Sequence, residues 1–181
     1  IFLNNVKKII NFPTKIYSDS DEYFENYTNI KIHLLKKINK KELKKVIQEI
    51  LIAVKNGKNL FSCGNGGSAS TAEHLSCDFS KGSCTDTNLN IKVISLNSNV
   101  SLMTAIANDI SYDDIFSYQL ARFGKPNDIL LLFSVSGTSK NILKCAKEAK
   151  KKKIKIISFT GFDGGKIKKL SKHNINFPTN N

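Results

Sequence analysis

The sequence lacks a long apolar run, a secretory signal pattern and a closely spaced pair of cysteines. No apolar stretch is longer than the one at residues 129–133, whereas a membrane-spanning helix needs about 20 apolar residues. No charged segment followed by an apolar one opens the chain. We therefore expect a cytoplasmic protein with no membrane partner. The four cysteines show no C-x-x-C spacing, which argues against a disulfide framework or a structural zinc site and predicts free thiols: Cys63, Cys77, Cys84 and Cys145.

Arginine is also scarce, since only Arg122 among the 28 basic residues is an arginine. A net charge of +13 would ordinarily suggest nucleic acid, because clustered cations release counterions from phosphate backbones. The bidentate contacts that read bases and phosphates favour arginine, however, and lysine does not replace it there. We therefore expect the lysine runs to be solvated helix faces and do not expect a nucleic-acid partner. A charged interaction surface and a DNA-binding role remain as alternatives.

The helical patterns lie in the first third of the chain. With 181 residues, 40% of them apolar, the chain has the size of one domain with its own core. An apolar stripe at helical spacing begins at Tyr23 behind the capping residues 18–21, and a second stripe runs from Leu43 to a glycine at position 57. We predict a single domain over 1–181, with a helical hairpin at 1–57 and an α/β core at 58–181.

Short β-rich runs alternate with helical segments after residue 58, at 60–62, 92–96, 128–133, 155–159 and, more weakly, 174–177. The third run is almost continuously apolar, which is typical of a parallel strand buried on both faces. The sequence therefore predicts an α/β fold of three layers, a doubly wound parallel sheet of about five strands between helices. Ligands of such sheets bind beyond the carboxyl ends of the strands.

A glycine-rich turn, Gly64-Asn65-Gly66-Gly67-Ser68, follows the first strand. Glycines let the backbone approach a phosphate closely, and the serine can donate its hydroxyl. The turn also satisfies the dinucleotide pattern G-x-G-x-x-A, but the second strand ends in 95–98 without the acidic residue that would bind the ribose. No Gly-Lys-Ser/Thr follows, so a Walker A loop is excluded. A purely structural tight turn remains the alternative.

A second polar loop, Ser134-Val135-Ser136-Gly137-Thr138-Ser139, follows the third strand and precedes a helical run. Hydroxyl donors, a glycine and a helix start are what a phosphate monoester needs. One capping residue would suffice for the helix, so four hydroxyls favour a binding loop over a simple cap.

His74 and Asp78 lie four residues apart in the helix predicted after the glycine-rich turn. Residues at this spacing share one helix face, so both side chains can address one ligand. The pair is a candidate for acid/base chemistry or for metal binding. The alternative is an ordinary histidine beside an incidental aspartate.

Together these motifs resemble the sugar isomerase (SIS) family, and within it the phosphoheptose isomerases. The resemblance covers residues 23–181, with the segments in the expected order, and implies a flavodoxin-like fold. It rests on G-N-G-G-S-A, the helical 74–78, A-N-D at 107–109, S-x-S-G-x-S, and T-G-F-D-G-G-K at 160–166.

The resemblance also implies the site and the reaction. Substrate contacts are implied for Asn65, Gly66, Gly67, Ser68, Asn108, Asp109, Ser134, Val135, Ser136 and Ser139. His74 and Asp78 would bind a metal, zinc in the family, and Asp78 would also be the catalytic base. The implied activity converts sedoheptulose 7-phosphate to D-glycero-D-manno-heptose 7-phosphate through an enediol, in a homotetramer.

Two departures from the family pattern bear on catalysis. Position 78 is aspartate where the family has glutamate. The family also continues into a C-terminal helix that supplies another metal ligand and a histidine, and His173, which we expect at the surface, is no substitute for that histidine. Since the sequence also starts without an initiator methionine, we expect either a fragment or a chain lacking a complete catalytic set. A non-catalytic SIS protein that binds a sugar phosphate or a protein partner is the alternative.

Overall fold

A computed structural model describes residues 9–85 and 87–180 as eight α-helices around one sheet. The helices are α1 Ser20–Lys36, α2 Lys40–Lys55, α3 Gly67–Cys77, α4 Ser83–Thr85, α5 Val100–Asp109, α6 Ser117–Phe123, α7 Lys140–Lys151 and α8 Gly165–Leu170. The strands are β1 Asn59–Gly64, β2 Lys92–Ser95, β3 Ile129–Ser134, β4 Lys155–Thr160 and β5 His173–Asn176. A π-helical turn, Asp78–Gly82, extends α3, and a 3₁₀ turn, Tyr112–Asp114, follows α5.

Side-chain caps explain where the first two helices begin. The side chain of Asp19 accepts a hydrogen bond from the backbone N–H of Asp21 at the start of α1. At the start of α2 the side chain of Asn39 accepts from two backbone N–H groups. Such bonds satisfy amides that have no acceptor within the helix. Beyond the end of α2, Gly57 adopts a left-handed backbone with φ of 65°.

All five strands are parallel, in the order β2-β1-β3-β4-β5. This is the flavodoxin-like order, whose direction reverses between β1 and β3. The predicted α/β class, the parallel sheet and its strand number are confirmed. The division of the chain at residue 57 stays a prediction.

The core lies on both faces of the sheet, and β3 contributes to each. Leu130 and Leu132 pack with α5 to α8 on one face, while Ile129 and Leu131 pack with α2 on the other. All four side chains are buried. Burial on both faces explains why the apolar run in this strand is continuous rather than alternating.

The prediction that His173 is a surface residue is wrong. Its side chain is only 10% exposed and its Nδ1 lies 2.8 Å from a carboxylate oxygen of Glu42 on α2. Nearby, Lys155 and Lys172 form ion pairs with Glu49 of the same helix. Burial alone would raise the pKa of Glu49, but the hydrogen bonds from these two lysines outweigh it and lower the pKa to about 2. Helix α2 covers this edge of the sheet and thereby buries His173, whose position in the sequence had suggested an exposed residue.

All four cysteines are free thiols, as predicted, and two of them, Cys63 and Cys145, are buried. Within residues 9–85 and 87–180, no helix combines the length and the apolar character needed to cross a membrane.

Candidate active site

The glycine-rich turn continues directly from β1 into α3. The buried side chain of Asn97, just beyond β2, accepts from the N–H of Gly64 and donates to its carbonyl, at 3.1 and 3.0 Å. A Cβ on Gly64 would lie 2.5 Å from the carbonyl oxygen of Ser68, so the turn closes only around glycine. Gly66 precedes α3 with φ of 55° and provides no side-chain cap. The N–H groups of Ser68 and Ala69 donate to the backbone carbonyls of Asn65 and Gly66, and the positive end of the helix dipole at this turn suits an anion.

The serine loop after β3 has a fixed shape. The hydroxyl of Ser134 accepts from the N–H of Gly137 at 3.2 Å. Gly137 has φ of 65°, and a Cβ there would meet the carbonyl oxygen of Gly164 at 2.2 Å. Ser139 holds the N-cap position of α7, yet its side chain makes no capping hydrogen bond. Its hydroxyl therefore does not cap the helix, which argues against the alternative that Ser139 is only a capping residue.

The two loops meet where the strand order reverses and enclose a cavity of about 250 Å³. Six of the predicted binding residues line it, together with Phe133 and Phe162: Asn65, Ser68, Ser134, Val135, Ser136 and Ser139. A second cavity of about 260 Å³ shares Ser68, Phe133, Ser134 and Val135 with the first. The rest of its wall is more apolar and includes Phe159 and Phe177. Gly66 and Gly67 are exposed beside the first cavity and are not part of its lining.

Sequence reasoning missed the residues that hold Asn65 in place. The amides of Asn65 and Asn141 exchange two hydrogen bonds, at 2.9 and 2.8 Å. The phenolic O–H of Tyr112 donates to Asn65 at 3.4 Å. The sequence signal that pointed to Asn141 was its position as a polar residue at the start of α7, directly before the buried Ile142.

His74 and Asp78 are brought together as predicted, with Nε2 and Oδ2 3.3 Å apart. Both are exposed, at 79% and 61% of their side-chain surface, and neither lines the two cavities. Within the described ranges, no group of three or more His, Cys, Asp or Glu side chains could hold a metal ion. A catalytic zinc site uses three protein ligands and a water. Among the described residues, the two side chains that the resemblance implies as ligands therefore lie together without a third His, Cys, Asp or Glu beside them.

Asn108 and Asp109 lie at the end of α5, away from the lining of both cavities. Their side chains are exposed and hydrogen bonded to each other at 2.8 Å. The chain that follows them leads to Tyr112, whose hydroxyl reaches Asn65. The structure thus leaves this predicted pair outside the lining of both cavities.

Comparison with known proteins agrees with this geometry. The SIS domain profile matches residues 22–161. The phosphoheptose isomerase of Helicobacter pylori is 40% identical over 129 residues, which cover 71% of this chain and 67% of that protein. The Colwellia psychrerythraea phosphoheptose isomerase is 44% identical over 63% of this chain and 58% of its own length.

A solved structure gives the same result for the fold. The phosphoheptose isomerase from Francisella tularensis superposes with a TM-score of 0.81 at 28% identity, covering 89% of this chain and 85% of that chain. These similarities agree with the flavodoxin-like strand order. They also agree with the two loops suited to phosphate binding, which meet where that order reverses. The chain therefore belongs to the SIS domain family, and within it to the phosphoheptose isomerase branch.

Proposed function

We propose that this protein is an aldose–ketose isomerase that converts sedoheptulose 7-phosphate to D-glycero-D-manno-heptose 7-phosphate. The observation that carries the proposal is the cavity between two helix N-termini, at neither of which the N-cap residue makes a side-chain capping bond. Serine hydroxyls line this cavity beside the positive ends of two helix dipoles, which suits a dianionic phosphate monoester. The phosphoheptose isomerases among its relatives act on such a substrate. We also propose a cytoplasmic location, where phosphorylated sugars are used.

The reaction requires a base that removes the proton next to the carbonyl and returns it to the neighbouring carbon. We assign this role to Asp78, with His74 beside it.

Zinc belongs to the proposal only in part. His74 and Asp78 would be two of its ligands, and the others would lie outside the described residues. When bound, such a metal stabilises negative charge on the substrate oxygen. Zinc titration of the protein as it exists, compared with His74→Ala, checks the ligand role, because loss of one ligand weakens zinc affinity.

We further propose a homo-oligomer, with a tetramer as the expected state. Apolar side chains of α1 and α2 face solvent in the single chain, including Phe24 at 69% exposure, Leu35, Ile47 and Ile52. Exposed apolar patches of this kind mark contact surfaces between proteins. Sedimentation velocity of the wild type and of Phe24→Asp checks the proposal, which predicts a shift to smaller species in the variant.

The decisive experiment measures conversion of sedoheptulose 7-phosphate with and without added divalent metals. We expect turnover by the wild type and loss of it in Asp78→Asn, because an amide cannot act as the base. Glu73→Gln is the matched control, since Glu73 is an exposed carboxylate on the same helix. Absence of aldose product with any metal would refute the proposed activity.

The second candidate function is binding of a sugar phosphate without turnover. It is favoured by the position of His74 and Asp78 outside both cavities and by the aspartate at position 78. Calorimetric titration with sedoheptulose 7-phosphate separates the two candidates. Binding without product formation supports the second candidate, and product formation excludes it.

A further inference from the structure

We propose that Asn141 is a positioning residue that fixes the side-chain amide of Asn65, leaving one N–H of Asn65 as a donor to a substrate oxygen. The inference rests on the proposed function for its substrate. Asn141 is on α7, only 2% exposed, and its partner Asn65 lies 76 residues earlier in the glycine-rich turn. The pair thus joins the two loops that form the cavity.

The orientation of both amides follows from one backbone group. The N–H of Ile142 lies 2.9 Å from Oδ1 of Asn141. A backbone N–H can only donate, so the atom of Asn141 that faces it must be the oxygen. Asn141 therefore accepts from Nδ2 of Asn65 at 2.9 Å and donates from its own Nδ2 to Oδ1 of Asn65 at 2.8 Å.

Counting donors and acceptors shows what remains for a ligand. Oδ1 of Asn65 accepts from Asn141 at 2.8 Å and, over a longer 3.4 Å, from the hydroxyl of Tyr112. Nδ2 carries two protons, and one of them goes to Asn141. Asn65 lines the cavity, so its second N–H can donate to a hydroxyl or phosphate oxygen of the substrate.

A double-mutant cycle tests whether Asn141 acts through Asn65. We expect Asn141→Ala to lower kcat/KM for sedoheptulose 7-phosphate on the order of tenfold to a hundredfold, as misplacement of a contact group does. Asn141→Asp, which keeps the acceptor but has no donor for Oδ1 of Asn65, should show a similar loss. In the Asn65→Ala background, Asn141→Ala should cost no further activity. Full additivity of the two losses would overturn the proposal.

A control separates positioning from general destabilisation. Asp128 is buried and accepts from two backbone N–H groups at the opposite end of the sheet. Asp128→Ala should lower Tm without lowering kcat/KM. If it lowers kcat/KM as much as Asn141→Ala does, the effect is structural and the proposed role of Asn141 is refuted.

A measurement without substrate separates this proposal from the proposed function. The Asn65 side-chain proton that is donated to Asn141, followed by NMR exchange with solvent, should be protected in the wild type and lose protection in Asn141→Ala. If the wild type shows no isomerase activity, the proposed function fails, and this comparison still decides the role of Asn141. Protection that is unchanged in the variant overturns it.

Discussion

Replacing Gly137 by alanine tests how tightly the serine loop is fixed. Gly137 has φ of 65°, and its added Cβ would lie 2.2 Å from the carbonyl oxygen of Gly164 and 2.8 Å from its carbonyl carbon. Both atoms belong to the backbone, and the N–H of Gly164 is itself hydrogen bonded to the carbonyl of Gly161. The clash therefore cannot be relieved by rotating a side chain.

Gly57 offers a matched comparison for the size of the effect. It has the same φ of 65°, but no atom lies within 4 Å of its added Cβ. Gly57→Ala should therefore lower the free energy of unfolding only through the strain of the left-handed backbone, by about 1–2 kcal/mol. Gly137→Ala adds overpacking of about 1–3 kcal/mol. At roughly 2–4 °C per kcal/mol for a chain of this size, Tm should fall further in the Gly137 variant, by roughly 2–12 °C.

Thermal unfolding followed by circular dichroism measures both Tm values under the same conditions. Activity provides a second readout, because a displaced serine loop should raise KM for the phosphorylated substrate, whereas Gly57 lies beyond the end of α2. Equal losses of Tm in the two variants would refute the reasoning, since the close approach of Gly164 would then carry no cost.

Three further predictions concern the ion pairs, the core and the phosphate site. The pKa of Glu49 is lowered from its ordinary value of 4.5 to about 2, so its stabilising effect is present above pH 4.5 and is lost as the pH falls towards 2. In urea unfolding, Glu49→Gln should therefore reduce the fall of the unfolding free energy with decreasing pH. An unchanged pH dependence in the variant would contradict this prediction. Leu131→Ala should cost about 2–5 kcal/mol in urea unfolding, whereas Val100→Ala, at an exposed position, should stay within about 0.5 kcal/mol. Ser139→Ala should raise KM roughly tenfold or more, as loss of a hydrogen bond to a charged group does. Its Tm should stay unchanged because this hydroxyl does not cap α7. A lower Tm with an unchanged KM would instead favour a capping role.

The fold followed from local patterns. The continuous apolar run of β3 predicted a strand buried on both faces, and its alternate residues do pack on opposite faces. The glycine-rich turn and the serine loop could be placed beside one another because parallel strands end at the same edge of a sheet. These predictions succeeded because strand period, glycine geometry and helix starts depend on neighbouring residues.

Other features of the site depended on contacts between distant parts of the chain. Asn97 holds Gly64 across 33 residues, and Asn141 holds Asn65 across 76. The residues beside these asparagines do not show which distant group each one reaches. His173 was misassigned for the same reason, since its burial depends on how α2 packs over β5 rather than on the residues beside it.

The sequence by itself determined the class of fold, the two loops and the kind of ligand they suit, because each is encoded in short segments with their own conformational preferences. Only the tertiary structure decided which side chains meet at the switch point. It left His74 and Asp78 exposed outside the cavities and placed two asparagines where they hold the glycine-rich turn. The physical reason is that hydrogen bonds between buried amides form only after the sheet and its helices have packed.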